Sequence, residues 1–71
     1  MKTIKLNNYT GIVIKTDAIV AAHESDLSGM PLLVLNIMGL MGSDEFRLGY
    51  RDVETRDKDL ATVIAVMEGR A

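Results

Sequence analysis

The sequence contains no cysteine, no tryptophan, one histidine and one proline among its 71 residues. The lack of cysteine excludes a disulfide, and with a single histidine it also excludes a zinc knuckle. A chain this short forms one domain, predicted over residues 1–71, and a core of that size gives little stability by itself. Burial between subunits is the remaining way to add stability. The missing cysteine also suits a reducing compartment, so we expect a cytoplasmic protein.

An excess of one charge is missing as well. Eight basic residues face ten acidic ones, and the formal net charge is −2. The basic residues alternate with acids over residues 51–52 and 56–59. Binding a nucleic-acid backbone requires a basic stripe, so this pattern argues against a nucleic-acid partner. The longest apolar stretch, residues 32–41, is about half the length that spans a bilayer, and we expect no membrane segment. Charge at Lys2 and Lys5 argues against a secretory signal.

Apolar residues alternate with polar ones through much of the chain. Residues 2–6 alternate with the period of two expected of a half-buried strand, and the Asn- and Gly-containing segment 7–11 predicts a hairpin loop. The β-branched segment 12–15 predicts a second strand. Residues 18–24 are too few for a stable helix and are interpreted as a third strand. The polar stretch 25–31, which contains Gly29 and the single proline, predicts a loop.

The segment 32–38 does not alternate, because Asn36 is its only polar residue. A continuous apolar run is typical of a strand covered on both faces. A turn is predicted over residues 39–44, and a fifth strand over 45–51 with Phe46, Leu48 and Tyr50 on one face.

The last part of the chain has a helical period. Leu60, Val63, Ile64 and Met67 form one apolar stripe, and Thr55 or Asp57 is expected to cap the helix. The predicted fold class is α+β: a small antiparallel sheet of four to five strands, followed by one C-terminal helix packed on one face.

One short helix covers one face of a sheet and leaves the other bare. We therefore expect the protein to be a homo-oligomer that also contacts another protein, with the apolar strand at the contact. A curled sheet that closes on itself as a partial barrel is the alternative. Methionine adapts to irregular contact surfaces. The predicted oligomer or partner interface consists of Leu32, Val34, Leu35, Met38, Leu40 and Met41.

No catalytic set can be assembled from the sequence. The four consecutive residues His23 to Asp26 cannot converge as a triad, and the glycine-containing segment 39–43 lacks the lysine of a phosphate loop. Paired acids at Asp44 and Glu45, and at Asp57 and Asp59, are interpreted as solvated surface. We expect a protein that is not an enzyme and that uses no cofactor or metal.

A second hypothesis concerns a small anionic ligand. Arginine binds phosphate in a bidentate manner and stacks on aromatic rings. Arg47 and Arg51 share one predicted strand face and Tyr50 lies on the other, so such a site would be completed across a subunit boundary. Its candidate residues are Arg47, Tyr50, Arg51 and Lys15. The corresponding function would be sequestration of a phosphorylated or nucleotide-like ligand at subunit interfaces.

Four short segments carry a resemblance to a known family: residues 4–8, 12–14, 16–19 and 60–64. Their order resembles that of small flagellar accessory proteins of the FlbD type, linked with swarming motility, and of similar short phage-encoded proteins. The resemblance implies an accessory protein that acts through contacts and has no catalytic residues. The first hypothesis is therefore a homo-oligomer that binds and modulates a larger bacterial protein, with a phage or prophage origin as part of that hypothesis.

Overall fold

The computed structural model describes residues 3–39 and 42–69. Its elements are β1 (Thr3–Lys5), β2 (Val13–Lys15), a 3-10 turn (Thr16–Ala18), β3 (Ile19–Leu27), β4 (Met30–Gly39), β5 (Gly42–Gly49) and α1 (Val53–Met67). The α+β class, the antiparallel pairing and the C-terminal helix are confirmed. The single sheet of four to five strands is wrong, because the strands form one sheet of order β1-β2 and another of order β3-β4-β5. The 3-10 turn separates the two sheets along the chain.

The predicted loop over 25–31 is also wrong. A two-residue hairpin turn at Ser28 and Gly29 joins β3 to β4, with φ angles of 51° and 83°. Positive φ at both central residues is the type I′ arrangement, whose twist matches that of the strands it joins. The ladder therefore continues up to the pair Leu27 and Met30.

The predicted turn over 39–44 is shorter than expected. Strand β4 reaches Gly39 and β5 starts at Gly42, and these two glycines are register partners. Residues 40 and 41 lie outside the described residues.

Helix α1 begins earlier than its apolar stripe predicts. Asp52 caps it by accepting a hydrogen bond from the backbone N–H of Thr55 at 2.7 Å, so the predicted caps Thr55 and Asp57 lie inside the helix. The buried helical residues are Arg56, Asp59 and Val63. The face that meets the sheet is thus rotated away from the predicted stripe, whose members Ile64 and Met67 are exposed.

Strand β4 divides its side chains between two faces. Leu33 and Leu35 join a core that also includes Leu6, Ile14, Ile19, Leu48, Tyr50 and Val63. We call this side of the β3-β4-β5 sheet the inner face. Helix α1 lies against β3 and β4 there. Ile14 of β2 and Leu6, the residue after β1, belong to the same core. Leu32, Val34 and Met38 occupy alternate positions and lie on the opposite side, the outer face.

Candidate interaction surfaces

Leu32 and Val34 lie at the centre of the outer face and do not belong to the core cluster. They are nonetheless only 7% and 4% exposed. Side chains of the neighbouring strands surround them, since Val34 is the register partner of both His23 and Arg47. Together they form a shallow depression with Leu27 and Glu45 at its rim. The burial of Leu32 and Val34 therefore requires no second polypeptide.

Larger apolar side chains around that centre remain exposed. We call Tyr9, Leu27, Met30 and Met38 the outer apolar patch, and each of them is exposed. Tyr9 and Met30 meet over Gly49, where an added Cβ would lie 2.9 Å from Met30 Sδ and 3.4 Å from Tyr9 Cδ2. Glycine at this position thus leaves room for one end of the patch. Met38 lies toward the other end of β4.

The predicted interface residues do not share one surface. Leu32, Val34 and Met38 lie on the outer face, whereas Leu35 points into the core and is 0% exposed. Leu40 and Met41 lie outside the described residues.

The predicted anion-binding residues are not brought together. Arg47 lies on the outer face and its Nε is 3.0 Å from Glu45 Oε1. Tyr50 is buried in the core, and Lys15 belongs to the other sheet. Arg51 places its guanidinium carbon 5.9 Å from the centre of the Tyr9 ring.

Arg51 and Tyr9 line an open groove of about 430 Å³ together with Lys5, Asp52 and Thr55. The hydrogen bond from the backbone of Thr55 is the main cause that lowers the pKa of the Asp52 carboxyl. Asp52 is therefore negative at neutral pH. Its charge repels an anion and so offsets the attraction that Lys5 and Arg51 would exert in the groove.

A buried polar network joins three distant parts of the chain. The hydroxyl of Tyr50 donates to Asp59 Oδ2 at 2.7 Å, and Asn7 donates to the same carboxylate from its backbone N–H and from its side chain. The network links the loop after β1, the residue after β5 and the middle of α1. Burial, followed by the hydrogen bond and the charge of Asp59, raises the pKa of Tyr50 above its ordinary value.

Arg56 is the second buried polar residue of the helix. Its guanidinium donates to the carbonyl of Ser25 at 3.0 Å and pairs with Asp57 at 2.8 Å and with Glu24 at 3.4 Å. The carboxylates are exposed whereas the arginine is buried. Arg56 therefore anchors α1 on the sheet and is covered by acids.

The burial of Arg56 and of Asp59 does not follow from the sequence pattern. Arg56, Asp59 and Val63 have the spacing of one helical face, but the sequence pattern places Asp59 in solvated surface and shows Arg56 only as a base among acids. Of the acid pair Asp57 and Asp59, only Asp57 is exposed.

The network predicts a specific alkaline sensitivity. The pKa of a tyrosine in an unfolded chain is about 10, and the pKa of Tyr50 is raised in the folded chain. Its contribution to the free energy of unfolding is therefore complete below pH ~10 and is lost as the pH rises beyond that value. We expect wild-type protein to lose more stability between pH ~8 and ~11 than the Tyr50→Phe variant, as measured by urea unfolding. Tyr9→Phe, which changes an exposed tyrosine, serves as the control and should follow the wild type. Equal pH dependence in wild type and Tyr50→Phe would contradict the prediction.

Comparisons of the chain with family models, with curated proteins and with solved structures found no match. Within residues 3–39 and 42–69, no three acidic or histidine side chains come together as a metal site. In the same described part, no helix has the length and apolar character needed to cross a membrane.

Proposed function

We propose that the protein is a non-enzymatic accessory protein that associates with itself and binds and modulates a larger bacterial protein. The observation that carries this proposal is the outer apolar patch. Helix α1 packs on the β3-β4-β5 sheet from the inner face, and Leu27, Met30 and Met38 are exposed to water. Exposed apolar side chains gathered around an apolar centre and rimmed by polar groups are typical of protein contact surfaces.

The chemistry of the patch suits a protein partner. Methionine side chains adapt to an irregular surface, and the rim offers both Glu45 and Arg47 for polar contacts. The resemblance to flagellar and phage accessory proteins supports the same function, because proteins of that kind act by contact. The four candidate residues for an anion site lie apart from one another. The alternative function, sequestration of a ligand, therefore has no comparable support.

Partner binding can be tested with two matched substitutions. Met38 on the outer face is 57% exposed and Val13 on β2 is 58% exposed, so Met38→Lys and Val13→Lys add the same charge at equally exposed strand positions. A protein retained from an extract of the encoding cells by wild type and by Val13→Lys should be lost with Met38→Lys. With that partner purified, calorimetry should show at least tenfold weaker binding to Met38→Lys. If every retained protein binds Met38→Lys as well as wild type, the outer face is not the binding surface.

Self-association has its own test. Light scattering at micromolar concentration should give a mass at least twice the 7.8 kDa of one chain. A strictly monomeric, folded species at these concentrations would contradict the proposed self-association and would leave partner binding by the outer face to the preceding experiment.

A further inference from the structure

Strand β5 is an edge of its sheet, since the strand order is β3-β4-β5. Its backbone orientation can be determined from one hydrogen bond. The N–H of Tyr9 donates to the carbonyl of Gly49 at 3.1 Å, from outside the sheet, so the polar backbone groups of Gly49 point away from β4. These directions alternate along an antiparallel strand. The N–H and C=O groups of Arg47 and Glu45 therefore also lie in the plane of the sheet and point away from β4. The backbone groups of Phe46 point toward β4, where its register partner is Leu35.

The side chains along this edge are complementary to themselves. Glu45 and Arg47 flank Phe46 and carry opposite charges. When two copies of this edge run antiparallel with Phe46 on the two-fold axis, Glu45 of each copy lies opposite Arg47 of the other. Glu45 and Arg47 are also the residues whose backbone groups point away from β4. Two hydrogen-bonded residue pairs would therefore form between the chains. Charged side chains usually protect an edge strand against association. Here their opposite signs would face each other across a pair of identical edges and would attract.

Phe46 adds an apolar contact at the axis. It lies on the inner face but is 41% exposed, because α1 packs on β3 and β4 and leaves the β5 side of that face open. Facing residues of a pair that is not hydrogen-bonded approach most closely in an antiparallel ladder. The two Phe46 rings would therefore cover each other.

We propose that β5 pairs with β5 of a second copy to form one continuous six-stranded sheet. This inference rests on the proposed self-association and identifies the strand responsible for it. Pairing would extend over residues 44–48 and stop where the Tyr9 loop occupies Gly49. The outer faces of the two copies then form one surface, which doubles the area available to a partner protein. A contact of this length is small compared with standard interfaces, so we expect the dimer to dissociate on dilution below the micromolar range.

Charge reversal tests the pairing directly. Arg47→Glu places acids opposite each other at two symmetric positions, and Glu45→Arg does the same with bases. Each variant should raise the dissociation constant of the dimer about tenfold, measured by sedimentation equilibrium, because two attractive cross-strand pairs become repulsive. The double variant Glu45→Arg/Arg47→Glu should associate as the wild type does. An equimolar mixture of the two single variants should also dimerise, because each chain then meets its opposite charge.

The control variant changes the net charge by the same amount as Arg47→Glu but at a position far from β5 in the sequence. Lys58→Glu alters an exposed helical residue and should leave the dissociation constant unchanged. Circular dichroism confirms that the variants are folded. Hydrogen exchange provides a second measurement: the amides of Glu45 and Arg47 should gain protection with rising protein concentration, whereas the amide of Phe46 is protected at all concentrations.

The mixture distinguishes pairing from an internal role of the ion pair between Glu45 and Arg47, since an internal pair cannot be restored in trans. If wild type dimerises and the single variants dimerise equally well, or if the mixture stays monomeric, the β5 pairing is overturned while self-association stands. A wild type that remains monomeric at the highest concentration overturns both.

Discussion

Replacement of Asp59 by alanine is expected to lower the free energy of unfolding by about 3 kcal/mol. The substitution removes the acceptor of three hydrogen bonds: one from the buried hydroxyl of Tyr50 and two from Asn7. A buried donor left without a partner costs about 1–3 kcal/mol, and hydrogen bonds to a charged group are at the upper end of the range. Water can reach the exposed side chain of Asn7 but not the hydroxyl of Tyr50.

An effect of this size is large for a domain of this length. At about 0.05–0.15 kcal/mol per residue, total stability is on the order of 4–11 kcal/mol. The expected fall in melting temperature is on the order of 15 °C. Urea unfolding of wild type and variant below the concentration at which the chain associates measures the difference without a contribution from the dimer.

Glu54→Ala is the matched control, because Glu54 is an exposed acid in the first turn of the same helix. Its loss should stay below about 1 kcal/mol, the size of a favourable interaction with the helix dipole. If Asp59→Ala costs no more than Glu54→Ala, the network does not hold the helix to the loop after β1.

The parts of the fold that sequence predicted are those governed by local periodicity. The period of two places Ile4 and Leu6 on one side of a pleated strand, and likewise Phe46 and Leu48. The structure has β1 at Ile4, with Leu6 one residue beyond its end, and β5 at Phe46 and Leu48. The helical period over 60–67 likewise predicts the presence of α1, although not the face that it buries. These patterns arise within a few residues and depend little on distant contacts.

The C-terminal end of β3 has a loop-like composition for a physical reason. Ser25 and Asp26 are polar, yet they pair with Leu32 and Pro31 across the hairpin. A strand at the edge of a sheet can keep polar side chains in water while its backbone forms the ladder. Composition reports the side chains and not the backbone pairing, so it suggested a loop.

The rotation of the helix was missed because its cause lies far away in the sequence. Asp59 is buried against Asn7, 52 residues away, and Arg56 against Ser25, 31 residues away. A charged residue is buried only where partners exist for it, and those partners become neighbours only after folding. A hydrophobicity pattern therefore assigns such residues to the surface.

The doubly apolar strand shows both the value and the limit of the sequence prediction. Apolar residues do occupy both faces of β4, but flanking side chains within one chain already bury Leu32 and Val34. The residues available for association are consequently not these two but the exposed ones around them: Leu27, Met30, Met38 and the β5 edge.

Leu35→Ala should separate the core from the contact surface. Leu35 and Met38 belong to one predicted interface, whereas Leu35 lies in the core with 0% of its surface exposed and Met38 is 57% exposed. Truncation of a fully buried leucine costs about 2–5 kcal/mol through lost burial and the cavity left behind. We expect a loss of about 3 kcal/mol for Leu35→Ala. Met38→Ala should cost less than about 1 kcal/mol, because a half-exposed methionine gives up little buried surface.

Urea unfolding of both variants in dilute solution measures the two losses of stability. Pull-down of a partner measures the effect of each substitution on binding. Met38→Ala should weaken partner binding while leaving stability nearly intact. Leu35→Ala should lower stability without changing the affinity of the molecules that remain folded, since its side chain does not reach the outer face. Equal losses of stability from the two substitutions would mean that β4 does not present Leu35 to the core, and the division of the sheet into an inner and an outer face would be wrong.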